Sequence, residues 1–398
     1  METFDWIVIG NGLAGAALSY ELVQQGLSVL LVDDDNQNNA TRCSYGGIAY
    51  WSGTNSITKT LFALGITRHR QLSEELGADT EFRELDLLLT FTPNIDGSSL
   101  IHQYEDFEIA PQLISATDAH HLEPQLNINN VGGAFTVKHG HVNPIKTLAA
   151  FNQAFRRLGG QQMVAAVTGL VTIKQKVTGI LTATQAYAAR NVAVAGGGYS
   201  RRLLQKANLH VPLYHTHAEI VALPKVDTKL RTLIMPAVAH RFEAETTASS
   251  ATTDALWDDS SHQLAAPILD SGVIQFLDGS TYIGQISRFR TDLVPDTIDA
   301  NQSETDMRQA ITAQIPCLAD IPGQWRHSLV SFSRDGLPLV GPLPGVEGIH
   351  LFSGFTSPFA MLLPIAQRFA HWVNQSQPEP DTLLEEMQPI RFSNATSH

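Results

Sequence analysis

Gly10, Gly12 and Gly15 stand at the spacing G-x-G-x-x-G, directly after the apolar run Phe4 to Ile9 and directly before AALSYELVQQG, which has helical spacing. In the order strand, turn, helix, each glycine has a physical task. Gly10 permits the turn, Gly12 lets a pyrophosphate approach the backbone, and Gly15 lets helix and strand pack closely. Phosphates held there sit on unpaired amides at the positive end of a helix, whose first residues are Leu13 and Ala14. A second apolar run, Leu27 to Val32, ends at Asp33, eighteen residues beyond Gly15. A carboxylate at that point accepts both ribose hydroxyl protons and disfavours a 2'-phosphate, so the spacing selects against NADP. Asp34 and Asp35 are alternates for the same task.

Other chemistries find less support in the residues. Cys43 and Cys317 are far apart and form no C-x-x-C or metal spacing, so neither a disulfide framework nor an oxidising compartment is expected. His120 and His121 are adjacent and face different ways on any regular element. His215 and His217 share a strand face but lack a visible third ligand, so no metal is expected. A net charge of -13, from 26 basic and 39 acidic residues, argues against nucleic acid and against an anionic membrane as partner. A small-molecule substrate fits better. No basic segment precedes the first apolar run, which is consumed as a strand, and no later stretch approaches a membrane span. The expectation is a soluble, cytoplasmic protein.

Stepping outward to the elements, 398 residues predict about two domains. Helices are predicted over 56–77, with His69 on the solvated side, over 145–158, capped by Asn143 with Pro144 at its first position, over 301–315, and over 359–373, opened by Ser357 and Pro358. Residues 82–91 read as extended, 164–170 and 177–184 as paired strands. Asn191 to Ala195 is a buried strand ending in Gly196-Gly197-Gly198, a second glycine-rich strand end. Residues 211–324 carry many β signals, at 217–223, 231–239, 272–277 and 281–287, interrupted by a polar stretch, 246–261, predicted as an exposed excursion. The stretch 325–332 reads as extended and enters a D-G-L-P turn. Gly348 to Ser353 reads as the last core strand.

Taken in order, the segments IVIGNGLAGAALSYEL with Asp33, ATRCSYGGI, HGHVNPIKTL, AAVTGL, NVAVAGGGYS, RDGLPLVGPLPG, FSGFTSPFAMLLP and LLEEMQPIRF resemble the FAD-dependent amine and amino-acid oxidoreductases that include glycine oxidase, sarcosine oxidase and D-amino acid dehydrogenase. The resemblance implies an α/β fold. A Rossmann-like, glutathione-reductase-like FAD-binding domain over 1–80, 140–210 and 325–398 would be joined to a substrate domain over 81–139 and 211–324, built on an antiparallel or mixed sheet. It implies that Gly10, Gly12, Leu13, Ala14 and Gly15 hold the pyrophosphate and Asp33, with Asp34, the ribose. Thr41, Arg42, Gly46 and Gly47 would line the stretch from phosphate to flavin. Val167 would meet the adenine through its backbone, with Ala195 and Gly197 alongside, and Gly354, Ser357 and Pro358 the flavin's pyrimidine edge. Neither cysteine matches the family's usual attachment site, so FAD is expected to be non-covalent.

The implied reaction is oxidation of a C-N bond in a small amine or amino acid, such as a D-amino acid, glycine or an N-methyl amino acid. Hydride passes from the α-carbon to flavin N5, the imine hydrolyses, and oxygen, a quinone or another acceptor takes the electrons. Two positions depart from the pattern. Val330 stands where relatives often carry a carboxylate-binding arginine, leaving Arg326, Arg334 and Arg288 as rivals for that task, with Gln275 as a candidate hydrogen-bonding group. Phe359 replaces a glycine common in relatives. Two alternatives remain at this level: a nicotinamide-dependent dehydrogenase, and a flavin-binding subunit without turnover.

Overall fold

The computed structural model describes residues 3–238, 240–375 and 379–396. Its first sheet runs Leu339–Pro342, Ile349–Ser353, Ala186–Val194, Thr3–Ile9, Val29–Asp33, Gln161–Val164. Along this path the strands are parallel except at the Leu339–Pro342 edge, and the antiparallel hairpin Val167–Ile173/Lys176–Thr182 joins the same sheet by pairing with Ala186–Val194. Parallel strands need crossover helices and are covered on both faces, which is why Trp6, Ile7, Val8 and Ile9 are all buried. Trp6 and Val8 join the core made by helices Leu13–Gln24, Ser56–Leu76, Pro144–Arg157 and Pro358–Val373. Ile7 and Ile9 face the opposite core, under the hairpin Val167–Ile173/Lys176–Thr182.

The second sheet is mixed. Its order is Gln324–Ser333, Leu213–Leu223, Thr281–Arg290, Gln263–Gln275, Leu233–Pro236, Arg83–Phe91, Gly133–His141, Gly47–Ile48, with Gln112–Ser115 paired beside Gly133–His141. Alternation splits its faces. Leu88, Val221 and Ile283 pack under helix Ala300–Gln314 through Met307 and Ile311, while Leu87, Leu89, Ile220 and Tyr282 face the other way, toward Cys43 and Trp51.

Several expectations need correction. Gln324–Ser333, placed with the nucleotide-binding segments on sequence, is an edge strand of the second sheet, hydrogen-bonded along Leu213–Leu223. Gly47–Ile48 also belongs to that sheet. The 231–239 strand shrinks to Leu233–Pro236, and its expected end at Ala239 lies outside the described residues. The 164–170 strand divides: Gln161–Val164 completes the parallel sheet, and the hairpin begins at Val167. Residues 246–261 are mostly exposed, as expected, but the stretch is anchored: Trp257 is buried against Tyr214 and Phe332 and Arg201 pairs with Asp254 and Asp258 at 3.2 and 2.8 Å. His69 is buried at 1% exposure, and its Nε2-H donates to the Phe359 carbonyl at 2.7 Å. Burial pushes its pKa down to about 4, so it serves as a neutral strut between two helices.

Candidate cofactor and substrate cleft

One cleft runs from the first glycine turn, between the sheets, to the start of the last helix. Gly10 has φ +105°, and a Cβ there would lie 2.5 Å from the Ala195 carbonyl oxygen. A Cβ on Gly15 would come within 1.8 Å of the Gly10 carbonyl oxygen. These two glycines therefore seal strand ends and helix together, while Gly12, Leu13 and Ala14 open onto the cleft. No side chain caps Gly12. Thr41 Oγ1 accepts from Leu13 N at 2.9 Å, which fixes a hydroxyl beside the open helix end. Asp33 closes this end: one carboxylate oxygen accepts from Asn11 N and the other from Asp35 N, each at 2.7 Å. Asn11 Oδ1 is buried with no partner. A helix end opening on the cleft, a backbone bare at Gly12 and an oriented carboxylate together fit the adenosine diphosphate part of FAD.

Gly196, Gly197 and Tyr199 wall this same end, the Gly196 Cα lying 3.0 Å from where a Gly10 Cβ would stand, and the cleft continues past Tyr45, Gly47, Ala49 and His139. Gly197, at φ +54°, leaves open space where a Cβ would stand. The far end is Phe355 to Ala360, the start of helix Pro358–Val373. Thr356 Oγ1 donates to Gly336 O at 3.0 Å, tying this end to the D-G-L-P turn. A positive helix end there favours anionic charge in the ring system's place. Phe359, buried at 3% exposure, lines the cleft.

The cleft thus gathers Gly10, Gly12, Leu13, Ala14, Asp33, Asp34, Thr41, Gly47, Ala195, Gly197, Ser357 and Pro358. Gly15, Gly46 and Gly354 shape it without lining it. At Gly46, φ is +71° and a Cβ would sit 2.1 Å from Val142 O, and at Gly354 φ is +85°. Arg42 lies behind the lining, 3.9 Å from Asp35, its carbonyl accepting from Tyr282 OH. Val167 opens the outer hairpin, opposite Thr182, two residues after Ala165, whose N-H donates to Asp33 O at 2.8 Å.

None of the four proposed substrate-binding side chains lines the cleft. Arg334 is spent on Tyr214 OH and Asp254. Arg288 is spent on Glu219, at 2.6 Å, and Ser303. Gln275 staples a turn, accepting from Leu230 N and donating to Thr228 O. Arg326 shares the face of Ser328 and Val330 but lies beyond the lining. The residue that sequence reasoning missed is Arg241, the first residue of helix Arg241–Ala248. Its Nε donates to Glu245 Oε1 at 2.7 Å, and Glu245 also accepts from Thr216 Oγ1 at 3.2 Å. Arg241 lines the cleft, and its Nη2 is buried without a partner. Thr216 pairs directly with Val330 in the sheet. Through Glu245 and Thr216, the Arg241 guanidinium is therefore held on the sheet face that carries Val330. Its one sequence signal was the Arg241/Glu245 spacing of four. Ala218, Ile220, Leu233, Met235 and Val330 make the apolar wall near it, with Gln285. Nearby, burial raises the Asp270 carboxyl, a shift that Arg241 and His240 oppose.

A family model described as FAD dependent oxidoreductase matches residues 5–372. The chain is 24% identical over 369 residues to the uncharacterized oxidoreductase YurR of Bacillus subtilis strain 168, covering 88% of this chain and 89% of that one. It is 23% identical over 407 residues to mouse mitochondrial dimethylglycine dehydrogenase, covering 98% of this chain but 44% of the relative. It thus spans under half of that protein's length. In structure it resembles glycine oxidase from Geobacillus kaustophilus, with TM-score 0.77 at 17% identity over 98% and 99% of the two chains. It also resembles L-proline dehydrogenase from P. horikoshii, with TM-score 0.77 at 17% identity over 99% of each chain.

Proposed function

The chain belongs to the FAD-dependent oxidoreductase family, and from that membership we propose that it oxidises the C-N bond of a small amino acid whose carboxylate is held by Arg241. The observation that carries this reading is the buried, unpartnered Nη2 of Arg241, a residue that lines the cleft. A buried guanidinium donor without an acceptor is costly, and a carboxylate satisfies it with a charge-assisted bond. Structural neighbours named for glycine and proline suit a substrate of that size.

FAD, when bound, supplies the two-electron acceptor. The chain's own residues do the rest. Gly12 to Ala14 and Asp33 fix the nucleotide, and Arg241 orients the substrate through its carboxylate. Ala218, Ile220, Leu233, Met235 and Val330 exclude water from the reacting carbon. Gln285 Nε2 is engaged with Ser287 Oγ at 3.0 Å, which leaves its amide oxygen to accept from the substrate amine. The positive end of the last helix favours the negative charge that reduction brings. A neutral amine needs no strong side-chain base. Oxygen or a quinone then takes the electrons.

The test is anaerobic mixing of the yellow holoenzyme with glycine, N-methyl amino acids, D- and L-amino acids, and their decarboxylated amines. Bleaching by one or more carboxylate-bearing compounds, and weaker bleaching by the matching amines, is expected. Equal bleaching by the amines, or none by any compound, overturns the proposal.

A further inference from the structure

Trp51 and His139 form a pair that the carboxylate site does not use. Trp51 Nε1 lies 3.0 Å from His139 Nδ1. An indole N-H can only donate, so Nδ1 is the acceptor and a neutral ring must carry its proton on Nε2. The indole is held firmly: it is buried, its ring packs on Phe107 at 5.4 Å, and its carbonyl accepts from Ile109 N. His139 is itself buried at 4% exposure, and burial pushes its pKa down to about 4, which keeps the ring neutral at physiological pH.

The protonated nitrogen has somewhere to point. Among the described residues Nε2 has no hydrogen-bond partner, and both His139 and its neighbour Gly47 line the cleft. A Cβ on Gly47 would stand 2.7 Å from Nε2. Gly47 is outside the left-handed region, so its backbone does not call for glycine. Space does, because any side chain would cover the imidazole. Tyr45 and Ala49 share this stretch of the lining.

We propose that His139 Nε2-H donates a hydrogen bond to an acceptor atom of the FAD ring system, with Trp51 fixing the tautomer that makes it a donor. Flavin rings offer carbonyl oxygens and nitrogen lone pairs for such a bond, and the locked tautomer presents its proton without any reorientation. This depends on FAD occupying the cleft and not on the identity of the substrate.

The experiment uses the holoenzyme with its histidines labelled with nitrogen-15, with His139→Phe and Trp51→Phe alongside. In the wild type, the His139 signals are expected to show a protonated Nε2 and a bare Nδ1 across pH 6–8. His139→Phe is expected to shift the flavin's visible band and to weaken FAD binding about tenfold, the loss of one hydrogen bond. Trp51→Phe should give a mixture of tautomers and a smaller change in the same direction. His139→Gln, which restores an N-H donor, should recover part of the shift. A folded His139→Phe with an unchanged spectrum and FAD affinity overturns the proposal, as does a proton on Nδ1. A changed substrate KM with an unaltered flavin also overturns it, since the donor would then serve the substrate. If His139→Phe does not fold, the wild-type tautomer and Trp51→Phe still decide.

Discussion

At the residue scale, local motifs and long-range geometry had different visibility. The meeting of Asp33 with the turn at Gly10, Gly12 and Gly15 could be read because it depends on a strand, a turn and a helix that follow one another in sequence. Arg241 could not, because the carboxylate-anchoring role proposed for it depends on Thr216 lying opposite Val330, a register no local pattern encodes. The same reason misplaced Arg288 and Arg334: both are arginines near the right motifs, but Glu219 and Asp254 consume them. Asp33→Asn should weaken FAD binding about tenfold or more, read by fluorescence on titrating apoprotein, since a charge-assisted acceptor of the ribose is lost. Arg241→Lys keeps the charge near Glu245 but loses the planar fork. It should raise KM for a carboxylate substrate roughly tenfold, with kcat changed less, and a KM equal to wild type would speak against the anchor.

At the element scale, the start of the last helix is held from outside the nucleotide turn. A Cβ on Gly65, in helix Ser56–Leu76, would stand 1.9 Å from the Ala360 carbonyl oxygen, and His69, one turn later, donates to Phe359. Both helices were legible from their apolar spacing, whereas the buried face carrying His69 was not, since a histidine reads as solvated until a partner helix covers it. Gly65→Ala should cost about 1–3 kcal/mol by overpacking, seen as a lowered Tm, and should also weaken FAD binding by displacing Phe359 and Ala360 at the cleft. A lowered Tm with unchanged FAD affinity would show that the helix start does not depend on this contact. The last helix was readable at its entry, Ser357 and Pro358, though Ser357 makes no side-chain cap.

At the scale of the whole molecule, the α/β class and the family were legible because the nucleotide sheet is assembled from short, ordered segments. The second, mixed sheet was legible in kind and in its central strands but not at its edges, because its strand order takes Gly47–Ile48 and Gln324–Ser333 from outlying segments to opposite edges. Among the described residues, no helix is long and apolar enough to cross a membrane. Burial holds His69, His139, His215, His217, His327 and His350 near pKa 4, and His141 near 3. Their folded values lie below the unfolded value of about 6.5. The unfolded chain therefore takes up protons first as pH falls, so their stabilising contribution is complete above about pH 6.5 and is lost progressively toward pH 4. Tm should fall steeply over that window, and a flat profile would contradict it.

The most direct measurement is a titration of the holoenzyme with a carboxylate that cannot be oxidised, such as acetate, followed by the flavin's visible spectrum in wild type, Arg241→Met and Arg334→Met. Removing a buried guanidinium-carboxylate pair is worth several kcal/mol. The expected result is a saturable perturbation in wild type and Arg334→Met, weakened about 100-fold in folded, flavin-loaded Arg241→Met. Equal affinity in Arg241→Met and wild type, or a loss confined to Arg334→Met, would contradict the account.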